Sequence, residues 1–264
     1  MPPRPSGELI EVRNPRTGQI DYDFNAPSEV ELAARLGGLR HAQPRWAARP
    51  LEERIAILKR WRGKWVARQA EIIGALAHDT GRFLIATSEV ASVLGMIDRW
   101  IASAPTLAQE EELRSVTMPN ISYRSQYVPY PLVGIISPWN FPVSLCFIDA
   151  IPALLAGCAV YIKPSEITPR FVAPVMRTIA AVPELAEVLH VQPGGRATGE
   201  QLVAGVDVVC FTGSVATGRI VAENAARNFI PAFLELGGND PLVITASADL
   251  ERATDVALRA TCLA

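Results

Sequence analysis

The chain has 264 residues, of which 49% are apolar and 20% charged, and its formal net charge is −2 at pH 7. This length and composition are typical of one large or two small globular domains with a substantial core. The near-neutral charge gives no electrostatic reason to expect nucleic acid or an anionic membrane surface as a partner.

The four cysteines lie in apolar or helical surroundings, and none belongs to a C-x-x-C pair: Cys146, Cys158, Cys210 and Cys262. We therefore expect free thiols in a reducing compartment, and we place no metal site on the chain. The N-terminal stretch "MPPRPSGELIEVRNPRTG" lacks the apolar core of a secretory signal, so we expect a cytoplasmic protein.

Residues 28 to about 110 have a helical pattern. In "LEERIAILKRWRGKWVARQAEIIGALAHDTG" the apolar residues Leu58, Trp61 and Trp65 recur near helical spacing, and Gly81 is a suitable C-terminal stop. The sequence therefore predicts long helices before any strand of a central sheet.

The next segment, "SVTMPNISYRSQYVPY", alternates and is rich in Tyr, Ser and Val, which predicts an exposed β-hairpin arm. From residue 131 onward strand and helix patterns alternate. We therefore divide the chain into an N-terminal helical part (1–114), the arm (115–130) and a Rossmann-like part (131–264), and we assign the helical and the Rossmann-like parts to one domain.

Six short apolar segments predict strands: "LVGIIS", "AVYIK", "EVLHVQ", "VDVVCFTG", "AFLEL" and "PLVIT". The predicted helices between them cover residues 143–156, 168–181, 198–204 and 216–227. A last helix begins at a cap formed by Ser247 or Asp249. Short β-branched strands that alternate with helices indicate the α/β class, with a parallel sheet covered by helices on both faces.

The segment from Leu132 to Ile162 contains one charge, Asp149, and is long enough to suggest a membrane span. Three prolines and the turn "SPWN" interrupt it. Proline breaks a continuous helix, so the pattern favours a strand, a loop, a helix and a second strand in an α/β core.

Polar residues follow the first two of these strands, at the edge where parallel sheets bind ligands. "LVGIISPWNFP" ends with Trp139 and Asn140, and two prolines fix the loop from which Asn140 offers an amide donor. "AVYIKPSEITP" ends with Lys163 and Glu166. The lysine can hold a hydroxyl or a phosphate, and the glutamate can accept a hydrogen bond from a ribose diol.

Two later strands also end in polar or glycine-rich turns. "VVCFTGSVATG" ends with Gly213, Ser214 and Gly218, where glycine lets the backbone approach a pyrophosphate and the helix start directs its amides at the anion. The spacing is G-x-x-x-x-G, so the G-x-G-x-x-G fingerprint is absent. "AFLELGG" ends with Glu235. Each motif alone also fits a solvated turn, but all four at strand ends indicate one ligand site.

Together these motifs resemble the aldehyde dehydrogenase superfamily, the NAD(P)-dependent enzymes that oxidise aldehydes to acids. The matching stretches are "PWNFP", "KPSEITP", "FTGSVATG" and "LELGGNDP", and the resemblance covers the chain in order. It implies a Rossmann-like parallel sheet with helices on both faces, preceded by N-terminal helices and a β-hairpin oligomerisation arm. It also implies a small-molecule aldehyde as substrate and a homo-oligomer for the full-length enzyme.

The resemblance implies a role for each matching residue. Asn140 corresponds to the asparagine that stabilises the oxyanion, and Glu235 to the general base that activates the hydrolytic water. The implied cofactor-binding residues are Ser137, Trp139, Lys163, Glu166, Gly213, Ser214 and Gly218. Because a carboxylate at Glu166 accepts from a free 2′-hydroxyl and repels a 2′-phosphate, we expect NAD as cofactor, with NADP as the alternative.

The catalytic cysteine of the family lies in a Gly-Gln-x-Cys turn, which has no counterpart in these 264 residues. Cys262 lies 27 residues after Glu235 inside the last predicted helix, and the C-terminal end of a helix disfavours a thiolate. We therefore expect Cys262 to be a structural thiol, the catalytic domain to be missing and the 264-residue chain alone to be inactive.

Three interpretations stay open at this point. The chain is the cofactor-binding half of an ordinary aldehyde dehydrogenase, a non-catalytic module that binds NAD or a partner, or one half of a split enzyme. Within the enzyme class, the runner-up is a relative that transfers the acyl group to coenzyme A. Glu235 argues against that relative, because a base for water serves hydrolysis. The sequence does not name the aldehyde.

Overall fold

The computed structural model describes residues 7–109 and 112–262. The strands in these ranges are β1 (Leu9–Arg13), β2 (Ile20–Asn25), β3 (Glu112–Arg114), β4 (Ser122–Arg124), β5 (Leu132–Ile136), β6 (Ala159–Lys163), β7 (Leu189–Val191), β8 (Val208–Gly213) and β9 (Ala232–Leu236). The helices are α1 (Glu29–Ala47), α2 (Leu51–Thr80), α3 (Phe83–Leu107), α4 (Ser144–Ala156), α5 (Val172–Ala180), α6 (Pro183–Ala186), α7 (Arg196–Gly205), α8 (Val215–Arg227) and α9 (Leu250–Cys262).

The central sheet has the strand order β7-β6-β5-β8-β9, and its paired strands are parallel. From β5 the chain moves outward to β6 and β7, and then crosses back to add β8 and β9 on the other side of β5. The order therefore reverses between β5 and β8, which creates a switch point with a crevice beyond the carboxyl ends of these strands. The predicted parallel α/β fold is confirmed.

Helices cover both faces of this sheet. On one face α1 contacts β5 and β6 and packs on α7, which in turn packs on α8. On the other face α4 contacts the same two strands and packs on α2 and α3. Strands β5 and β6 are buried along their whole length, as the sequence predicts for strands covered on both faces.

An aromatic cluster joins α2 to α4 at the centre of the core. Trp61, Trp65 and Phe147 are buried, with ring centroids 5.4 to 5.6 Å apart. The indole nitrogen of Trp61 donates to Thr178 Oγ1 at 2.9 Å, and that of Trp65 donates to the carbonyl of Val90 at 3.2 Å. Buried tryptophans that find such partners add packing without leaving a donor unsatisfied, so the predicted helical face forms the core.

Local signals set the ends of several helices. A capping box joins the side chains and backbone amides of Ser28 and Glu31 at the start of α1. Gly81 ends α2 in a left-handed conformation (φ 70°), which confirms the predicted stop. Asp249 Oδ1 accepts from the Arg252 amide at 2.8 Å, so Asp249 rather than Ser247 caps α9.

The predicted strand "PLVIT" is wrong, because residues 241–245 are exposed, irregular chain between β9 and α9. Strand propensity reflects packing on a pleated, half-buried surface. None of the described strands pairs with this segment, so its apolar residues gain nothing from an extended conformation. The sequence also missed the antiparallel hairpin of β1 and β2, whose alternation is short and mostly exposed.

An antiparallel pair occupies the region of the predicted arm. β3 pairs with β4, so the hairpin begins at Glu112, before the predicted boundary, and residues 125–130 continue as irregular chain. An oligomerisation role for it stays a prediction. None of the described helices combines the length and the hydropathy needed to cross a lipid bilayer.

Two glycine substitutions test the account of the backbone. Gly157 follows α4 with φ 102°, and an added Cβ would lie 3.3 Å from the Cα of Ala47. Gly157→Ala should lower the free energy of unfolding by about 1–2 kcal/mol, because L-residues disfavour this conformation. Gly74 lies in α2 with nothing within 4 Å of its added Cβ, so Gly74→Ala should raise that free energy by about 0.5–1 kcal/mol. Denaturant unfolding measures both, and effects of the same sign would contradict the account.

Candidate functional site

A cavity of about 920 Å³ lies beyond the carboxyl ends of β5, β6, β8 and β9. Every predicted site residue except Gly218 lines it: Ser137, Trp139, Asn140, Lys163, Glu166, Gly213, Ser214 and Glu235. Segments up to 98 residues apart in sequence therefore meet in one place. The reversal of strand order between β5 and β8 brings them together.

The loop after β5 forms one wall of the cavity. The Ser137 amide donates to the Lys163 carbonyl at 3.1 Å, which extends the pairing of β5 with β6. The Ser137 hydroxyl is buried and has no hydrogen bond of normal geometry to a described residue, although the Cys146 thiol lies beside it. Buried hydroxyls are almost always satisfied, so this orphaned group is suited to meet a bound ligand.

Helix α3 holds the backbone of the same loop. Arg82 donates to the carbonyl of Asn140, and its guanidinium lies 5.3 Å from the centroid of the Phe141 ring. Glu89, which is buried, accepts from the Val143 amide at 3.0 Å. Burial raises the pKa of Glu89 to about 7, and the hydrogen bonds it receives at this loop only partly oppose that rise.

The loop after β6 supplies a buried cation and a carboxylate. Lys163 Nζ donates to the Pro164 carbonyl at 3.3 Å and lies 3.5 Å from Glu166 Oε2. Burial lowers the pKa of Lys163, and the charge of Glu166 opposes that shift. The Lys163 side chain is 6% exposed and that of Glu166 42% exposed, so the carboxylate faces open space while the ammonium lies in the wall.

The loop after β8 presents the N-terminus of α8. Ser214 caps this helix by accepting from the Thr217 amide at 3.2 Å. The other first-turn amides lack helical partners and carry the positive end of the helix dipole. A Cβ on Gly213 would lie 2.7 Å from the Phe211 ring, so only glycine lets the chain turn there without moving that ring.

Gly218 lies one turn further along α8, where it faces β9 rather than the cavity. A Cβ on this residue would lie 2.5 Å from Leu236 Cδ2, so its role is to let α8 pack closely on β9. A role of Gly218 in closing the turn against a pyrophosphate stays a prediction. Leu236, against which Gly218 packs, lines the cavity.

Two carboxylates share the side of the cavity nearest β9. Glu235 is exposed and lies opposite Thr212 in the pairing of β9 with β8. Asp149 of α4 also lines the cavity, and burial raises its pKa, with a further rise from the negative charge of Glu235. The sequence reasoning missed Asp149, although its isolation as the single charge between residues 132 and 162 was a signal that could have found it.

The start of α7 adds two residues for which the sequence offered no signal. Arg196 and Glu200 line the cavity and form an ion pair at 2.8 Å. Among the residues that the structure describes, no group of three His, Cys, Asp or Glu side chains is placed to hold a metal ion. The cavity is thus built from strand-end loops, a helix N-terminus and scattered charges.

None of the four cysteines, all of which lie in the described ranges, lines the cavity. Burial raises the pKa of the Cys146 and Cys210 thiols to about 12 and that of Cys158 to about 11, so these thiols are protonated at neutral pH. All four are free, as predicted. Cys262 is exposed at the end of α9, and not packed as the expected structural thiol would be.

Comparison with known sequences identifies relatives. A sequence model described as "Aldehyde dehydrogenase family" matches residues 3–264. The chain is 35% identical over 253 residues to N-succinylglutamate 5-semialdehyde dehydrogenase 2 of Caulobacter vibrioides, covering 94% of the chain and 51% of that protein. It is 34% identical over 232 residues to a Mycolicibacterium smegmatis protein named "Putative succinate-semialdehyde dehydrogenase [NADP(+)]". That match covers 87% of the chain and 45% of the relative. The chain spans about half the length of the curated relatives it matches.

Solved structures similar to this chain are also named as aldehyde dehydrogenases. "Putative Aldehyde Dehydrogenase PutA" from Anabaena variabilis is 52% identical and superposes with a TM-score of 0.91, over 94% of this chain and 53% of that one. Betaine aldehyde dehydrogenase from Staphylococcus aureus, solved in complex with NAD+, is 25% identical with a TM-score of 0.87, over 96% and 52%.

The raised pKa of Glu89 predicts a pH-dependent stability. In the folded chain Glu89 keeps its proton up to about pH 7, against 4.5 in an unfolded chain. The contribution of protonated Glu89 to the free energy of unfolding is therefore complete below pH 4.5 and is lost as the pH rises through 7. Glu89→Gln keeps an acceptor for the Val143 amide but does not ionise. The free energy of unfolding of the Glu89→Gln variant minus that of the native chain should therefore rise by up to about 3 kcal/mol between pH 4.5 and pH 8. Denaturant titrations that give parallel pH profiles for the two chains would contradict this.

Proposed function

Since the chain belongs to the aldehyde dehydrogenase family, we propose that it is the cofactor-binding part of an NAD-dependent aldehyde dehydrogenase. The proposed reaction oxidises an aldehyde to a carboxylic acid through a cysteine thioester, and water then hydrolyses the thioester. One observation carries the proposal. The residues that end four strands converge on a single cavity at the switch point of the sheet.

The residues of the cavity fit a dinucleotide. Its volume of about 920 Å³ lies in the range of small-molecule and cofactor sites. Lys163 and Glu166 offer a donor and an acceptor 3.5 Å apart, which suits the adjacent hydroxyls of a ribose. The first-turn amides of α8, which begins after the Ser214 cap, suit a pyrophosphate. The orphaned hydroxyl of Ser137 offers one more polar contact in the same wall.

The chain's own residues supply two chemical functions. When bound, NAD accepts a hydride from the substrate carbon. Asn140 lies on a loop held by its backbone, so its amide can donate to the substrate oxygen as that atom gains negative charge. A fixed donor of this kind contributes about 3–4 kcal/mol to comparable reactions. Glu235 lines the cavity and is open to solvent, so it can take the proton of an attacking water.

We assign the nucleophile to none of the described cysteines. Cys146 and Cys158 are buried and Cys210 is partly buried, and all three have raised pKa values. The fourth, Cys262, lies on α9 outside the cavity. The alternative candidate function is a module that binds NAD without oxidising aldehydes. The two candidates differ in one measurement. The protein is assayed at the full length that its gene encodes. Reduction of NAD by an aldehyde supports the dehydrogenase, and NAD binding without reduction supports the module.

Binding of NAD to the 264-residue chain tests the cofactor site. We expect isothermal titration calorimetry to detect one NAD per chain. Lys163→Met should weaken binding at least about ten-fold, because hydrogen bonds from a charged donor contribute more than 1 kcal/mol. Lys59→Met is the matched control, since Lys59 is exposed on α2, away from the cavity. A folded chain that does not bind NAD, or equal losses in both variants, would contradict the site.

Glu166 should set the choice between NAD and NADP. A carboxylate beside the ribose accepts from a free 2′-hydroxyl and repels a 2′-phosphate. We expect the native chain to bind NAD more tightly than NADP, and Glu166→Gln to narrow that difference by removing the repulsion. Glu200→Gln serves as the control, because it removes a carboxylate that lines the cavity but is paired with Arg196. Equal affinity of the native chain for both cofactors would show that Glu166 does not discriminate.

A further inference from the structure

The loop between β5 and α4 carries Asn140 and lacks a cap of its own. Helix α4 begins after Val143, whose side chain cannot accept a hydrogen bond, and the structure shows no side-chain cap from the loop. The first-turn amides of a helix need acceptors, and a buried helix start without them is costly. An acceptor must therefore come from another part of the fold.

Helix α3 supplies that acceptor. Glu89 Oε1 accepts from the Val143 amide at 3.0 Å, and the carboxylate also interacts with Ser144, the first residue of α4. Above about pH 7, where Glu89 is ionised, the helix dipole also stabilises its negative charge at this end of α4. Glu89 thus caps α4 although it lies 54 positions before Val143 in the chain.

A second residue of the same region holds the other end of the loop. Arg82, which immediately precedes α3, donates to the Asn140 carbonyl and stacks over the Phe141 ring. Glu89 fixes the backbone three residues after Asn140, and Arg82 fixes Asn140 itself. Both contacts are to backbone atoms, so they set the direction of the Asn140 side chain without touching it.

Glu89 is costly to keep at this place. It is 4% exposed, and the electrostatic attraction of Arg82 only partly offsets its burial. An apolar residue of similar size would pack there without the cost of burying a polar carboxyl group. In return, the buried carboxyl group gives the loop between β5 and α4 a defined conformation.

We propose that Glu89 and Arg82 are positioning residues for Asn140, with Glu89 acting through the first amides of α4 and Arg82 through the Asn140 carbonyl. This inference rests on the proposed function, because it is the oxyanion role of Asn140 that requires a fixed side chain. Neither residue contacts the cavity, so neither is a catalytic residue.

Amide hydrogen exchange on the 264-residue chain tests the structural half of the proposal. In Glu89→Ala we expect exchange of the amides in residues 139–145 to accelerate at least about ten-fold relative to the native chain, because the buried Val143 amide loses its acceptor. Glu89→Gln keeps an acceptor and should stay within about three-fold. Thr87→Ala, an exposed change on the same helix, is the control and should have no effect. Unchanged exchange in Glu89→Ala, or an equal acceleration in strand β6, would overturn the proposal.

A double-mutant cycle tests the functional half, in the protein at the length that its gene encodes. Asn140→Ala, Glu89→Ala and the double variant are compared by kcat and by KM for NAD. If Glu89 acts through Asn140, Glu89→Ala lowers kcat and leaves KM within about two-fold, and it has little further effect once Asn140 is alanine. Additive losses would overturn the inference. A silent Asn140→Ala would instead overturn the proposed function.

Discussion

The reversal of strand order between β5 and β8 is the constraint on which the site depends. The chain leaves the carboxyl end of β5 toward α4 and that of β8 toward α8, which lie on opposite faces of the sheet. The two loops diverge, so a crevice must open between them.

At the amino end the same strands are held together. Asp207 accepts two hydrogen bonds from Arg40, at 2.9 and 2.7 Å, and one from the Leu132 amide at 2.9 Å. Gly134 lets α7 lie close on β5, since a Cβ there would be 3.1 Å from the Val206 side chain.

The polar groups of the site are held by contacts outside the cavity. The loop that carries Lys163 and Glu166 continues to Arg170, whose amide donates to the buried Asp79 carboxylate at 2.8 Å and whose guanidinium pairs with it. The loop that carries Asn140 is held from α3. Rigid elements on either side thus fix the two loops whose side chains line the crevice. A bound ligand would meet groups that are already placed, which lowers the entropic cost of binding.

The parallel sheet and most of the cavity could be predicted from sequence because they follow from short-range pattern. Strands such as β5 and β6 are continuous apolar runs, and the residue after each run must lie at the same edge. Glu89 and Arg82 could not be found in this way, because they act on backbone atoms of a loop more than 50 residues away. Spacing alone does not tell whether a glycine such as Gly218 faces a ligand or a neighbouring strand. The segment "PLVIT" failed because strand propensity does not specify a partner strand.

The central claim is that the four strand-end motifs form one dinucleotide site, and a crystal structure of the chain grown with NAD tests it most directly. We expect the adenosine ribose within hydrogen-bonding distance of Lys163 and Glu166, and the pyrophosphate at the N-terminus of α8. Density for NAD elsewhere, for example in the groove between α1 and α6 lined by Arg35 and His41, would contradict it. A structure with the cavity empty at saturating NAD would contradict it as well.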